Sequence, residues 1–178
     1  SLPEQGNTNL YPSGESPGIT YRYYTEKVQF PFGFGLSYTT FKYSDLKLSS
    51  QSVKACDTVT VTVTVTNTGD KDGDEVVQVY LKHVKASVPV PKVRLADFAR
   101  VTIAKGQSTR LELMILPRTH CVVPDNSDIY TDRSTVESGE ISVYVGGGQP
   151  DFYTGGLSSS FHVTTSALAA TCPDPELL

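Results

Sequence analysis

The sequence predicts an all-β protein, an immunoglobulin-like β-sandwich preceded by an extended arm. Two observations carry this. Between residues 59 and 66, Val59, Val61, Val63 and Val65 alternate strictly with Thr60, Thr62, Thr64 and Thr66. That is the period-two pattern of a half-buried strand, in β-branched residues that suit a pleated surface. Beyond it, short apolar runs recur between clusters of Gly, Pro, Asn and Asp, with no convincing amphipathic helix among them, which is the rhythm of a sandwich.

The first 40 residues stand apart. Ten of the seventeen aromatic residues fall in the first quarter, together with Pro3, Pro12, Pro17 and Pro31. Proline at that density interrupts regular elements, so residues 1–40 read as an extended arm with one strand over residues 19–24. Its densest part is Phe30-Pro-Phe-Gly-Phe-Gly-Leu-Ser-Tyr-Thr-Thr-Phe41. In an extended conformation Phe30, Phe32, Phe34 and Leu36 fall on one side, with Gly33 and Gly35 between them. Glycine there admits a close backbone approach or a positive φ. Such a row of rings is not left in water. Too little chain precedes it to bury it, so the expectation is that the arm packs against another domain or another molecule and that the chain is one end of a larger protein.

Residues 41–165 read as the sandwich. The valine side of the 59–66 strand faces the core and its threonines face outward. Asn67-Thr-Gly-Asp-Lys-Asp-Gly73 supplies a hydrated hairpin turn, after which Val77, Val79 and Leu81 resume the alternation. A loop with Pro89 and Pro91 leads to a strand carrying Phe98, Val101 and Ile103. Lys105-Gly106 turns the chain into Leu111, Leu113 and Ile115, which alternate with Arg110, Glu112 and Met114. Ile141, Val143 and Val145 form a strand ending in Gly146-Gly-Gly148, and Leu157, Phe161 and Val163 close the core. About seven strands burying several such side chains, at roughly 1.5–3 kcal/mol each, suffice for a domain. Residues 166–178 read as a C-terminal tail, for docking or as a ragged end.

Charge and composition exclude some functions. The net charge of −4 offers no bulk attraction for nucleic acid or an anionic membrane. No apolar run approaches the ~20 residues of a membrane-spanning helix. Between Lys82 and Arg110, seven basic residues (Lys82, Lys85, Lys92, Arg94, Arg100, Lys105, Arg110) face one acid, Asp97. A groove for an acidic polymer is one reading and a solvated strand face the preferred one. Gly33-x-Gly35 lacks the third glycine of a dinucleotide loop, since Tyr38 stands there. Residues 70–75 have the acid density of a calcium loop without its glycine and distal glutamate spacing. His83, His120 and His162 are scattered, and no serine sits in a nucleophile elbow. The expectation is no catalytic, metal or cofactor-binding residue, and no cofactor.

Three cysteines, Cys56, Cys121 and Cys172, fit one internal bridge plus a third thiol pairing elsewhere, or three free thiols. Cys172, in the tail, is the strongest candidate for an outward bridge. There is no tryptophan and no paired-cysteine signature of an antibody-type domain.

Several motifs in linked order carry a family resemblance. Pro17-Gly-Ile-Thr-Tyr-Arg-Tyr-Tyr24 followed by the run from Phe30 to Phe41 resembles the junction in glycoside hydrolase family 3 enzymes, the β-glucosidases, β-xylosidases and their relatives. There an α/β-sandwich domain joins a C-terminal fibronectin type III-like domain. Val61-Thr-Val-Thr-Val-Thr-Asn-Thr-Gly-Asp70 and Gly73-Asp-Glu-Val-Val-Gln-Val-Tyr-Leu81 resemble the first hairpin of that domain, and Leu95-Ala-Asp-Phe-Ala-Arg-Val101 and Lys105-Gly106 continue the match. The resemblance covers about residues 17–163. Ile19 departs from it, standing where a basic residue is common.

The resemblance implies a non-catalytic accessory domain of a secreted, extracellular β-glycosidase. Its catalytic carboxylates, a nucleophilic Asp on a barrel domain and an acid/base on the α/β domain, would both lie upstream. It implies partners in those preceding domains, or in a neighbouring subunit, with carbohydrate as a further candidate. The residues expected to dock are Tyr21, Arg22, Tyr23, Phe30, Phe32, Phe34 and Tyr38. The alternative is a free-standing or polymerising interaction module that docks through its arm.

Overall fold

The computed structural model describes residues 20–24, 27–123 and 134–173. The strands are β1 (Phe41–Leu48), β2 (Ser52–Val53), β3 (Val59–Asn67), β4 (Gly73–His83), β5 (Arg94–Ile103), β6 (Ser108–Ile115), β7 (Thr135–Val136), β8 (Gly139–Gly146), β9 (Leu157–Val163) and β10 (Ala167–Leu168). One sheet has the order β1-β3-β6 and a second has the order β2-β9-β8-β4-β5, while β10 and β7 form a short ribbon. All pairings are antiparallel except β2 with β9.

The core follows from the alternation. Val59, Val61, Val63 and Val65 are wholly buried, while the threonines between them are half-exposed. On β8, Ile141, Val143 and Val145 face the same interior, and Val77, Val79 and Leu81 of β4 lie beside them in register, with Val79 opposite Val145 and Leu81 opposite Val143. Leu113, Ile115, Phe161 and Val163 complete one cluster drawn from both large sheets. This is the expected all-β sandwich.

The connections differ from expectation. β3 and β4 do not form a hairpin: they lie in different sheets, so residues 68–72 cross from one to the other. The 104–107 turn, with Gly106 at φ 72°, carries β5 back the other way. Asn67 secures both crossings. Its buried amide donates to the carbonyls of Lys71 and Ile103, each at 2.8 Å, and its Oδ1 accepts from Thr39 Oγ1 at 2.6 Å and Gly69 N–H at 3.1 Å. A buried polar side chain is tolerated because it is satisfied in this way.

Two other readings are corrected. Residues 20–23 form a turn, with the amides of Tyr23 and Tyr24 donating to Thr20 O, and not a strand. The segment after residue 166 is not a free tail where it is described: β10 pairs with β7, and Cys172 is bonded to Cys56, inward and across 116 residues of sequence. The free thiol is Cys121. Three of the basic residues of 82–110 are engaged within the domain. Arg94 donates to the carbonyls of Thr119 and Cys121, Arg100 pairs with Asp74, and Lys92 pairs with Asp151 at 3.4 Å.

Candidate domain-docking surface

The alternation of β4 sends Val77, Val79 and Leu81 inward and should leave Gln78 and Tyr80 in water. Both are buried instead, because the arm lies across this outer face of the five-stranded sheet. Gly33 makes the approach possible. Its φ is +74°, and a Cβ built there would stand 2.2 Å from Gln78 Oε1 and 3.0 Å from Tyr80 Oη. Gln78 Nε2 donates to Gly33 O at 3.0 Å and to Gly147 O at 3.3 Å, and Tyr80 Oη donates to Gln78 Oε1 at 2.7 Å. The arm was expected to find its partner only outside this chain. Part of that partner is the chain's own sheet.

The N-terminal end of the described arm is held at the start of β5. Lys92 N–H donates to Arg22 O at 2.7 Å, and Leu95 N–H donates to Tyr21 Oη at 3.3 Å. Tyr21 stacks on Phe32 with ring centroids 4.0 Å apart, and the Arg22 guanidinium lies 5.9 Å from the centroid of the Tyr21 ring. Phe30 and Phe34 meet at 5.3 Å. Tyr23 is half-buried beside this turn. Tyr38 joins none of these ring pairs and is 92% exposed, as Leu36 is at 91%.

The rings are covered on one side only. Phe30, Phe32 and Phe34 remain exposed, and so do Val76, Phe98 and Phe152 of the sandwich. Phe32, Phe34, Leu36, Val76, Phe98 and Phe152 line one open concavity of about 770 Å³. The three sandwich residues were not among those expected to dock. The signal was present for Phe98, which is out of phase with the inward-facing Ile103 on the same strand and so points to the outer face. Nothing in the local sequence marks Phe152, which the β8–β9 loop brings to the same place.

The polar side chains at this concavity are engaged within the domain. Glu75 accepts a hydrogen bond from Tyr43 Oη at 2.5 Å, and the Tyr43 ring meets Tyr153 edge-on at 6.2 Å. Burial raises the Glu75 carboxyl above its ordinary value, against the opposing pull of the Tyr43 hydrogen bond. The same burial, with Glu75 beside it, raises the Tyr43 phenol. Asp74 is held low by its hydrogen bonds to Thr102 and then Arg100. Asp74 and Glu75 are neighbours on one strand and point to opposite faces. A retaining glycosidase needs two carboxyl groups about 5–5.5 Å apart across a shared space, one of them free as nucleophile; these two do not provide it. Among the described residues no group of three or more His, Cys, Asp or Glu is placed to hold a metal ion.

Comparison with known proteins gives a consistent picture. Residues 75–149 match the family model described as fibronectin type III-like domain. The sequence is 41% identical over 133 residues to the β-xylosidase of Formosa agariphila, covering 71% of this chain and 17% of that protein. It is 36% identical over 131 residues to thermostable β-glucosidase B of Acetivibrio thermocellus, covering 72% of this chain and 17% of that protein. Among solved structures, β-glucosidase 3B from Thermotoga neapolitana in complex with glucose superposes with a TM-score of 0.69 at 31% identity, over 83% of this chain and 19% of that one. The chain spans under a fifth of the length of these relatives.

Proposed function

The chain belongs to the fibronectin type III-like domains found in glycoside hydrolase family 3 β-glucosidases and β-xylosidases, and from that premise we propose that it serves as the non-catalytic accessory domain of a secreted β-glycosidase. In this reading the sandwich stabilises the domain assembly, and hydrolysis of β-glucosides or β-xylosides belongs to carboxylates in preceding domains. Tyr21, Arg22, Tyr23, Phe30, Phe32, Phe34 and Tyr38 contribute the arm's side of the junction. The observation that carries the reading is the arm itself, strapped to its own sheet through Gly33 and Gln78 while its aromatic side stays open. An extracellular location is supported by the Cys56–Cys172 bridge, since such bonds persist in oxidising compartments.

The test is the denatured, reduced mass of the native polypeptide, taken with hydrolysis of aryl β-glucoside and β-xyloside by the same sample. A much longer polypeptide that hydrolyses one of them, beside an inactive 178-residue chain, is the expected result. A polypeptide of about this size without activity would replace the reading with that of an interaction module.

A further inference from the structure

We infer that β4, β8 and β9 carry a binding strip for a β-linked glycan that bears carboxylate groups, on the part of the sheet face that the arm leaves open. The inference rests on the reading above in one respect, that a β-glycan is a polymer the parent protein meets.

The strip is built from strand register. Lys82 lies two residues beyond Tyr80 on β4 and shares its outward face. Ser142 of β8 stands opposite Lys82 and Ser160 of β9 stands opposite Ser142, while Tyr144 stands opposite Tyr80 and Ser158 opposite Tyr144. Lys82, Ser142, Tyr144 and Ser158 line a concavity of about 440 Å³, beside the Lys92–Asp151 ion pair at 3.4 Å. Ser159 lines it too, and also a second concavity of about 310 Å³ that adds Ser160, Glu140 and His162.

The chemistry of the strip selects its occupant. Among the described residues, the side chains of Lys82, Ser142, Ser158 and Ser160 have no hydrogen-bond or ion-pair partner. They are free to exchange water for a hydroxyl-rich ligand, and serine loses little rotamer freedom in doing so. None of the exposed large apolar side chains lines the larger concavity, so it lacks the anchor a protein partner requires. A sugar ring needs a flat face to lie on as well as hydroxyl partners, and Tyr144 offers one. Its Oη donates to Tyr153 O at 2.7 Å, and Gly156 approaches so closely that a Cβ there would stand 2.3 Å from that oxygen. The ring is therefore held in place before any ligand arrives.

Charge narrows the glycan further. Lys92 is neutralised by Asp151, and Arg94 is spent on the carbonyls of Thr119 and Cys121. Lys82 is exposed and has no counterion among the described residues. A lone ammonium beside hydroxyl groups favours a sugar with a carboxylate, through a charge-assisted hydrogen bond. It is too little for nucleic acid, whose binding is built from many phosphate contacts. Glu140, opposite His162, keeps that carboxylate away from the second concavity and accepts from neutral hydroxyl groups.

The experiment is affinity electrophoresis of the full-length polypeptide in native gels, relative to gels without polymer. The probes are xylan with glucuronate side groups and the same xylan with those carboxyls reduced to alcohols. Binding at a catalytic site is common to parent and variants, so the differences between them read this strip. The parent should be retarded more by the acidic polymer, and Lys82→Gln should abolish that preference. Ser142→Val/Ser158→Val should weaken retardation by both polymers about fivefold or more. Lys47→Gln, which removes the same charge from an exposed position on the other sheet, should migrate as the parent does. Variants retarded as strongly as the parent, or a parent that ignores both polymers, would overturn the strip, and an equal effect of Lys47→Gln and Lys82→Gln would replace it with diffuse charge. Retardation lost with Lys82→Gln in a protein without hydrolytic activity would keep the strip and remove the glycosidase reading; hydrolysis without retardation would do the reverse.

Discussion

His120 carries the strongest single-residue consequence of the fold. Its imidazole is buried at 2% exposure, edge-on to Phe161 at 5.7 Å, with neither ring nitrogen hydrogen-bonded among the described residues. Its carbonyl meets His83 Nε2 at 2.9 Å. Burial, then the nearby His83 and Arg94, push its pKa down to about 4. The unfolded chain takes up a proton near the ordinary 6.5, so the neutral imidazole contributes stability that is fully present above that value and lost as pH falls toward about 4. Between about pH 7 and about pH 5 the loss from this group is about 2 kcal/mol, at 1.36 kcal/mol per pKa unit. Glu75 works in the other sense: its raised carboxyl favours the fold below its unfolded value of 4.5 and loses that contribution as pH rises. The lowered His83 adds to the histidine effect and the raised Glu75 opposes it as pH rises above 4.5, so it is the comparison of urea unfolding at the two pH values between parent and His120→Leu that isolates His120. His120→Leu should reduce the fall between about pH 7 and about pH 5; an equal fall in variant and parent would sink the assignment.

At the scale of elements, the bridge between Cys56 and Cys172 ties the C-terminal ribbon to the approach to β3. It closes a loop of 116 residues, and constraint of the unfolded chain by so long a loop stabilises the native state by roughly 2–4 kcal/mol. Cys56→Ser, or reduction of the parent, should lower the urea midpoint accordingly and expose β10 to proteolysis first, because β10 and β7 pair over only two residues each. A midpoint indifferent to reductant would show that the ribbon holds without the bond. None of this was legible in the sequence, where three cysteines permitted several pairings and the segment after 166 carries little apolar pattern. The strands were legible for the opposite reason. In β3, β6 and β8 the alternation of apolar and polar residues is itself the physical cause of burial, so reading one reads the other. The crossings at residues 68–72 and 104–107 were not, since a short polar turn around a glycine, Gly69 in one and Gly106 in the other, looks the same whether the next strand pairs alongside or enters the opposite sheet. Asn67 decides that matter through four side-chain hydrogen bonds, two of them to nearby Gly69 and Lys71 and two to Thr39 and Ile103, 28 and 36 residues away, and the distant partners leave no local signature. The arm was half legible. Its ring row and glycines announced burial, but the return of Gly33 onto Gln78 depends on an outward face of β4 that only the assembled sheet creates.

For the whole molecule, the same residue should matter by different amounts in different contexts, and Phe32 is the residue that measures this. In the chain by itself one face of its ring stacks on Tyr21 at 4.0 Å while 43% of the residue stays exposed. Phe32→Ala in the 178-residue chain removes only that stack and the contact beneath it, a loss of about 1 kcal/mol. If the open side is covered by preceding domains, the full-length polypeptide loses a side chain buried on both faces, and the cost rises to roughly 3 kcal/mol. Both proteins should melt lower, the longer one by the larger free energy, with the difference reporting how much of the ring the assembly covers. On the accessory-domain reading, turnover of aryl glycoside at saturating substrate should stay unchanged at temperatures below unfolding, because the neighbouring carboxylates Asp74 and Glu75 are both engaged by other side chains of the domain. Unequal losses with intact turnover are the signature of a domain that works by holding others in place. Equal losses in the two contexts would mean that the outer side of the arm faces water in the full protein as well, and the aromatic row would then have to be explained by the stack on Tyr21 and the lock on Gln78 alone.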